Sequence, residues 1–240
     1  MLEGILVLLL SCTTDFTDGI LTITCDDGAN EVVVGRDSEG AITLNEDAIT
    51  GSPMTDNTDG IVILGGNRTD SLTIDLSGGP FVPGLSSEMS GTSEIEFTIQ
   101  GGAGDDVLTV IGQEDTENTF KVTGGTLNIS NDDDGDIEIS EIEELHLLGS
   151  NDDDAISLTA WSADDTTAMG IAKILIDGGD GDDVLRNGDL KSVTLTGAEG
   201  NDKIYGGTEA ERIEGGIGDD TIVGRGGRDK LFGGDGDDVI

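Results

Sequence analysis

Apolar residues in this chain come in short runs without helical spacing. Between Phe16 and Ile176 they include ILTIT (20–24), EVVV (31–34), AITL (41–44), IVIL (61–64), SLTIDL (71–76), IEFTI (95–99), VLTVI (107–111) and LHLL (145–148). Each run is aliphatic or β-branched and is bounded by Gly, Asn and Asp, the pattern of short strands closed by turns. Residues Asp164–Ala172 fit one helical turn or a loop, and nothing else follows a 3.6-residue period. The expectation is an all-β chain.

From Gly197 the pattern becomes a strict repeat of nine: GAEGNDKIY, GGTEAERIE, GGIGDDTIV, GRGGRDKLF and GGDGDDVI. Every unit opens with Gly, and has an acidic residue at its sixth place and an aliphatic one at its eighth. A glycine-rich turn followed by a strand of about three residues is the unit of a parallel β-solenoid. The glycines permit the positive φ angles such turns need. Alternation across the strand sends one aliphatic residue inward, here read as Val184, Ile204, Ile222, Leu231 and Val239.

Two units form one coil, so units 18 residues apart stack. Asp202, Asp220 and Asp238 then share a column, and Asp183 of GGDGDDVLR heads it after one inserted residue. Carboxylates about 4.8 Å apart repel by roughly 3–4 kcal/mol at an effective dielectric of 20. Such a stack calls for a cation, and carboxylates with turn carbonyls make an all-oxygen cage suited to calcium.

These GGxGxD-x-aliphatic-x units resemble the RTX, or haemolysin-type calcium-binding, repeats of secreted bacterial proteins. The resemblance implies a right-handed parallel β-roll with Ca2+ held between coils by the sixth-position Asp and alternate turn carbonyls. It is specific for residues 178–186 and 197–240. GGTEAERIE departs from it with Glu211 at the sixth place, and GRGGRDKLF keeps Asp229 but adds Arg225 and Arg228. These two units form a second column, expected to bind calcium weakly or not at all, with Arg neutralising it instead.

Related units recur upstream: GGNRTDSLT at Gly65, GGAGDDVLT at Gly101 and GSNDDDAIS at Gly149. The first two lie 36 residues apart and the third is out of register. Asp106, with no matching unit 18 residues away, is expected to hold an isolated calcium. The chain thus divides into an apolar N-terminal segment (1–12), an irregular β-solenoid or alternatively a β-sandwich (13–177), and a β-roll (178–240). The sequence stops inside a repeat, so a continuation is expected.

Composition narrows the function. With 51 acidic against 11 basic residues the formal charge is −40, which opposes nucleic acid and anionic membranes as partners. The run GILVLLLS before Cys12 is too short to span a bilayer as a helix. Its LLSC ending is similar to a lipoprotein lipobox, so a lipid anchor at Cys12 is one reading and a buried first strand another. Cys12 and Cys25 fit either a disulfide, as in an exported protein, or two separate thiols.

The single histidine, His146, leaves no HExxH site and no serine triad, and no phosphate-binding loop is present. The leading expectation is a non-enzymatic calcium-binding module of a secreted, extracellular or cell-surface protein. Extracellular polysaccharide is a further candidate partner. The alternative is part of a carbohydrate-active β-helix enzyme of lyase or epimerase type, betrayed by a Lys/Arg, Tyr or Trp groove. Trp161 would serve as sugar platform or as loop anchor.

Overall fold

A computed structural model describes residues 12–82, 84, 94–123, 126–129 and 135–240. The apolar run at residues 4–11 lies outside them. The described chain is all-β apart from one short helix, and its strands form two sheets.

The N-terminal half opens with β1 (Cys12–Thr17) and β2 (Ile20–Cys25), an antiparallel pair joined by a Cys12–Cys25 disulfide. The bond uses the sulfur that a lipid thioether at Cys12 would need. The chain then crosses to the second sheet as β3 (Glu31–Arg36), which carries an antiparallel excursion, β4 (Ile42–Leu44) and β5 (Asp47–Ala48). Crossings continue with β6 (Gly60–Leu64), β7 (Ser71–Asp75), β8 (Glu96–Gln100) and β9 (Val107–Ile111). Strand β6 lies parallel between β2 and β8, and β7 lies parallel between β3 and β9.

In the middle, β10 (Thr119–Thr123), β11 (Thr126–Asn128) and β12 (Ile137–Ser140) stay in the first sheet, with β11 antiparallel to both neighbours. Two-sheet alternation resumes with β13 (Glu144–Ser150) and β14 (Ala155–Ser157). A helix, α1 (Ala163–Met169), fills the next connection. Ser162 and Asp165 cap each other at its N-terminus, and Gly170 ends it at φ 94°. The sequence offered one turn or a loop here; reciprocal capping and a left-handed glycine stop stabilise the short helix.

The rest is regular: β15 (Lys173–Asp180), β16 (Val184–Arg186), β17 (Val193–Glu199), β18 (Lys203–Tyr205), β19 (Arg212–Ile217), β20 (Thr221–Val223) and β21 (Lys230–Asp235). Each of β17 to β21 pairs in parallel with the strand two elements earlier. We call one strand from each sheet, with its two turns, a tier.

Side chains alternate, so one row from each sheet faces the other. Ile63, Ile74, Leu108, Ile176, Leu195 and Ile204 are fully buried in the shared core. Each such burial contributes about 1.5–3 kcal/mol. In the strand of GGDGDDVLR the buried residue is Leu185, at the eighth place, and Val184 faces outward, half-exposed. Val239 is 63% exposed. Both depart from the inward placement expected of them: they occupy the seventh place, which the pleat turns to the other face, and Val239 pairs with the outward seventh-place Thr221. No helix among the described residues is long and apolar enough to cross a membrane.

Candidate metal centre

The turns that lead from the second sheet back to the first carry one aligned row of acidic residues. Their sixth-place side chains are Asp154, Asp183, Asp202, Asp220 and Asp238, and Asn118 stands above them. Each backbone N–H donates to an oxygen of the next side chain in the row. Asn118 N donates to Asp154 Oδ1 at 2.5 Å, Asp154 N to Asp183 Oδ1 at 2.7 Å, and Asp183 N to Asp202 Oδ1 at 2.8 Å. Asp202 N donates to Asp220 Oδ1 at 2.9 Å, and Asp220 N to Asp238 Oδ1 at 3.1 Å. The geometry stacks Asp183, Asp202, Asp220 and Asp238 in one column, as their spacing implied.

That ladder uses Oδ1 only. The Oδ2 atoms of Asp183, Asp202 and Asp220 are buried without a hydrogen-bond partner. A buried carboxylate oxygen left unpaired costs free energy unless a proton or a cation meets it. Each Oδ2 presses on the first glycine of its own unit: a Cβ there would lie 1.9 Å from Asp183 Oδ2 at Gly178, 2.0 Å from Asp202 Oδ2 at Gly197, and 2.1 Å from Asp220 Oδ2 at Gly215.

Backbone oxygens close the remaining space. A Cβ on Gly200 or Gly218 would lie 1.8 or 1.9 Å from the fourth-place carbonyl of the neighbouring turn. At the second place, Gly216 and Gly234 press equally on the Ala198 and Gly216 carbonyls. Among the described residues no three His, Cys, Asp or Glu side chains converge as a metal cluster. An ion here would therefore draw on main-chain carbonyls beside the carboxylates. That donor set is all oxygen, which suits calcium and disfavours zinc.

Burial, with neighbouring carboxylates adding to it, pushes Asp183 up to about 8 and Asp202 up to about 6. Asp154, Asp220 and Asp106 are raised as well, with burial again the first cause.

The opposite turns form a second row with a different character in each half. In the N-terminal half Asn30 N donates to Asp70 Oδ1, Asp70 N to Asp106 Oδ1, and Asp106 N to Glu143 Oε2, each at 2.7 Å. Asp106 is therefore not isolated. Its neighbours lie 36 residues before and 37 after, because these tiers carry long excursions that an 18-residue period does not detect. Asp106 Oδ2 is also buried and unpartnered.

In the C-terminal half the row holds Asn187, Glu211 and Asp229. Both oxygens of Glu211 are met, Oε1 by Asn187 Nδ2 at 3.2 Å and Oε2 by Gly207 N at 3.3 Å. Glu211 N donates to Asp229 Oδ1 at 3.2 Å. Arg225 lies over the Tyr205 ring, and no ion pair among the described residues joins Arg225 or Arg228 to this row.

Two features escaped the sequence reading. Asp154 joins the first column although it lies 29 residues before Asp183. The fifth-place residues Asp153, Asp182, Asn201, Asp219 and Asp237 form an exposed outer ladder running the other way. Asp182 N donates to Asp153, Asn201 N to Asp182, Asp219 N to Asn201, and Asp237 N to Asp219. The recurrence of Asp or Asn at the fifth place was the available signal.

His146 is half-buried and bonded to Glu144 at 2.7 Å. Trp161 is buried to 3% exposure and packs in the core, so it offers no sugar platform.

Stacked glycine turns that present buried carboxylates at Asp183, Asp202 and Asp220, with main-chain carbonyls between neighbouring tiers, make a repeat suited to a hard divalent cation. Comparison with protein families is specific on this point. The RTX calcium-binding nonapeptide repeat matches in four copies, at residues 98–110, 187–210, 194–222 and 205–240. Residues 98–110 and 187–240 thus carry RTX-type calcium-binding repeats, and Ca2+ is the ion these repeats bind. No curated protein matches the chain. The unit at Gly178–Arg186 precedes the matched stretch yet shares its geometry.

Proposed function

We propose that this chain is a structural module of a secreted or cell-surface protein that folds when it meets calcium outside the cell. On this reading an irregular right-handed β-solenoid (13–177) continues into a β-roll (178–240). Asp183, Asp202, Asp220 and Asp238 supply the carboxylates of the principal calcium column, with Asp154 at its head. Asp106 supplies those of a second site, between Asp70 and Glu143. Asp229 stands at the edge of a column whose acid is already met by protein donors, and contributes least. The module has no catalytic role.

The observation that carries this reading is the set of buried, unpartnered Oδ2 atoms on consecutive turns. Without a cation each must hold a proton or bear an uncompensated charge. Each nine-residue unit buries little apolar surface against the cost of ordering its backbone, so ion binding becomes folding energy. Extracellular calcium modules bind at about 10⁻⁴–10⁻³ M, a range met after export. The Cys12–Cys25 disulfide supports an oxidising compartment.

Circular dichroism of the full chain during a calcium titration, with calorimetry on Asp220→Ala, tests this. The expected results are a calcium-dependent gain of β-structure and a loss of bound calcium in the variant. Full β-structure in metal-free buffer at pH 8, or wild-type calcium stoichiometry in Asp220→Ala, would refute it.

A further inference from the structure

In a chain of charge −40, one strip of the first sheet, formed by β14, β16, β18 and β20, presents no acid outward. Strands β14, β16, β18 and β20 are three residues long, with the central residue buried and the flanking two turned outward. No outward residue of these four strands is Asp or Glu. Arg186 and Tyr205 are register partners on adjacent strands, and Lys203 shares the outward face of β18 with Tyr205.

The basic groups here are held in place. The Arg186 guanidinium carbon lies 5.1 Å from the Tyr205 ring centroid, and that of Arg225 lies 5.8 Å from it. They reach the ring from the strands on either side, Arg186 within β16 and Arg225 just beyond β20. Neither arginine makes an ion pair among the described residues, although acidic residues outnumber basic ones 51 to 11. Stacking on an aromatic ring fixes a guanidinium plane while leaving its fork of N–H donors open. Two such forks flanking one ring suit planar, bidentate acceptors, which carboxylates are.

We propose that this face binds a carboxylated polysaccharide, with Arg186 and Arg225 gripping carboxylates on successive sugars and Lys203 adding charge. The inference goes beyond the calcium reading and draws on it at one point. A polyanion and an acidic protein repel, but calcium ligates carboxylate oxygens on both partners and lowers the charge of each.

The test is affinity electrophoresis and calorimetry of the full chain in ~10 mM calcium, above the range of extracellular calcium modules, with polygalacturonate as probe. Dextran and dextran sulfate serve as the neutral and sulfated comparisons. Polygalacturonate should retard the wild type and dextran should not. Arg186→Gln combined with Arg225→Gln should weaken binding about tenfold or more, as expected for lost charge-assisted hydrogen bonds. Circular dichroism of the same samples reads folding separately. A chain folded without calcium would sink the folding proposal while leaving binding readable. No retention of the folded wild type, undiminished binding by the double variant, or equal retention by dextran sulfate would overturn the assignment.

Discussion

Without calcium, raising the pH should weaken the fold. Asp183 is pushed from 3.8 to about 8 and Asp202 from 3.8 to about 6, with burial as the leading cause. Between those values the unfolded chain has released the proton and the folded chain still holds it. The folded state therefore binds more protons, and stability falls as pH rises. Asp183 alone contributes a slope of about 1.4 kcal/mol per pH unit between about pH 4 and 8, on the order of 6 kcal/mol in all. Asp202 acts between about pH 4 and 6, but the two are hydrogen-bonded neighbours, so their effects fall short of additive. Single domains are stable by roughly 5–15 kcal/mol, so the loss is large enough to unfold much of the repeat region. Calcium inverts the dependence, because it binds the ionised carboxylates and expels their protons. Urea melts of the metal-free chain from pH 5 to 8 measure the slope. Calorimetry in two buffers of different ionisation enthalpy measures the released protons. Asp183→Asn keeps an Oδ1 acceptor for the ladder and should flatten the metal-free slope while lowering the calcium stoichiometry. Metal-free stability that is level or rising from pH 5 to 8 would show that these carboxylates are not held protonated in the fold.

Two further outcomes separate the columns and the turns. Gly200→Ala should destabilise the calcium-loaded chain by at least about 2 kcal/mol, read from urea midpoints, because φ is 133° and the new Cβ would meet the Gly181 carbonyl oxygen at 1.8 Å. Glu211→Gln should leave the calcium stoichiometry unchanged in a calorimetric titration, since Asn187 and Gly207 already occupy both carboxylate oxygens; a lost equivalent of calcium would show that this column also binds the ion.

The nine-residue repeat determined much by itself. Once every turn adds the same rise, residues 18 apart must stack, and Asp202, Asp220 and Asp238 do so because nothing intervenes to shift them. The strand character of the chain was equally local, since β-branched runs between Gly and Asp clusters have few other ways to pair. What only the tertiary structure decided is which distant turns share a tier. Asp154 reaches the column across the 29 residues that include α1, and Asp106 meets Asp70 and Glu143 across still longer gaps. Register there is set by strand pairing and core burial, and insertions in the turns change sequence spacing without changing it. The same holds for charge. Proximity in sequence placed Arg225 beside the Asp229 turn, whereas the fold carries it to Tyr205 and leaves Asn187 to satisfy Glu211. A side chain's partner depends on the direction in which its strand or turn projects it, and on what the neighbouring tier presents there.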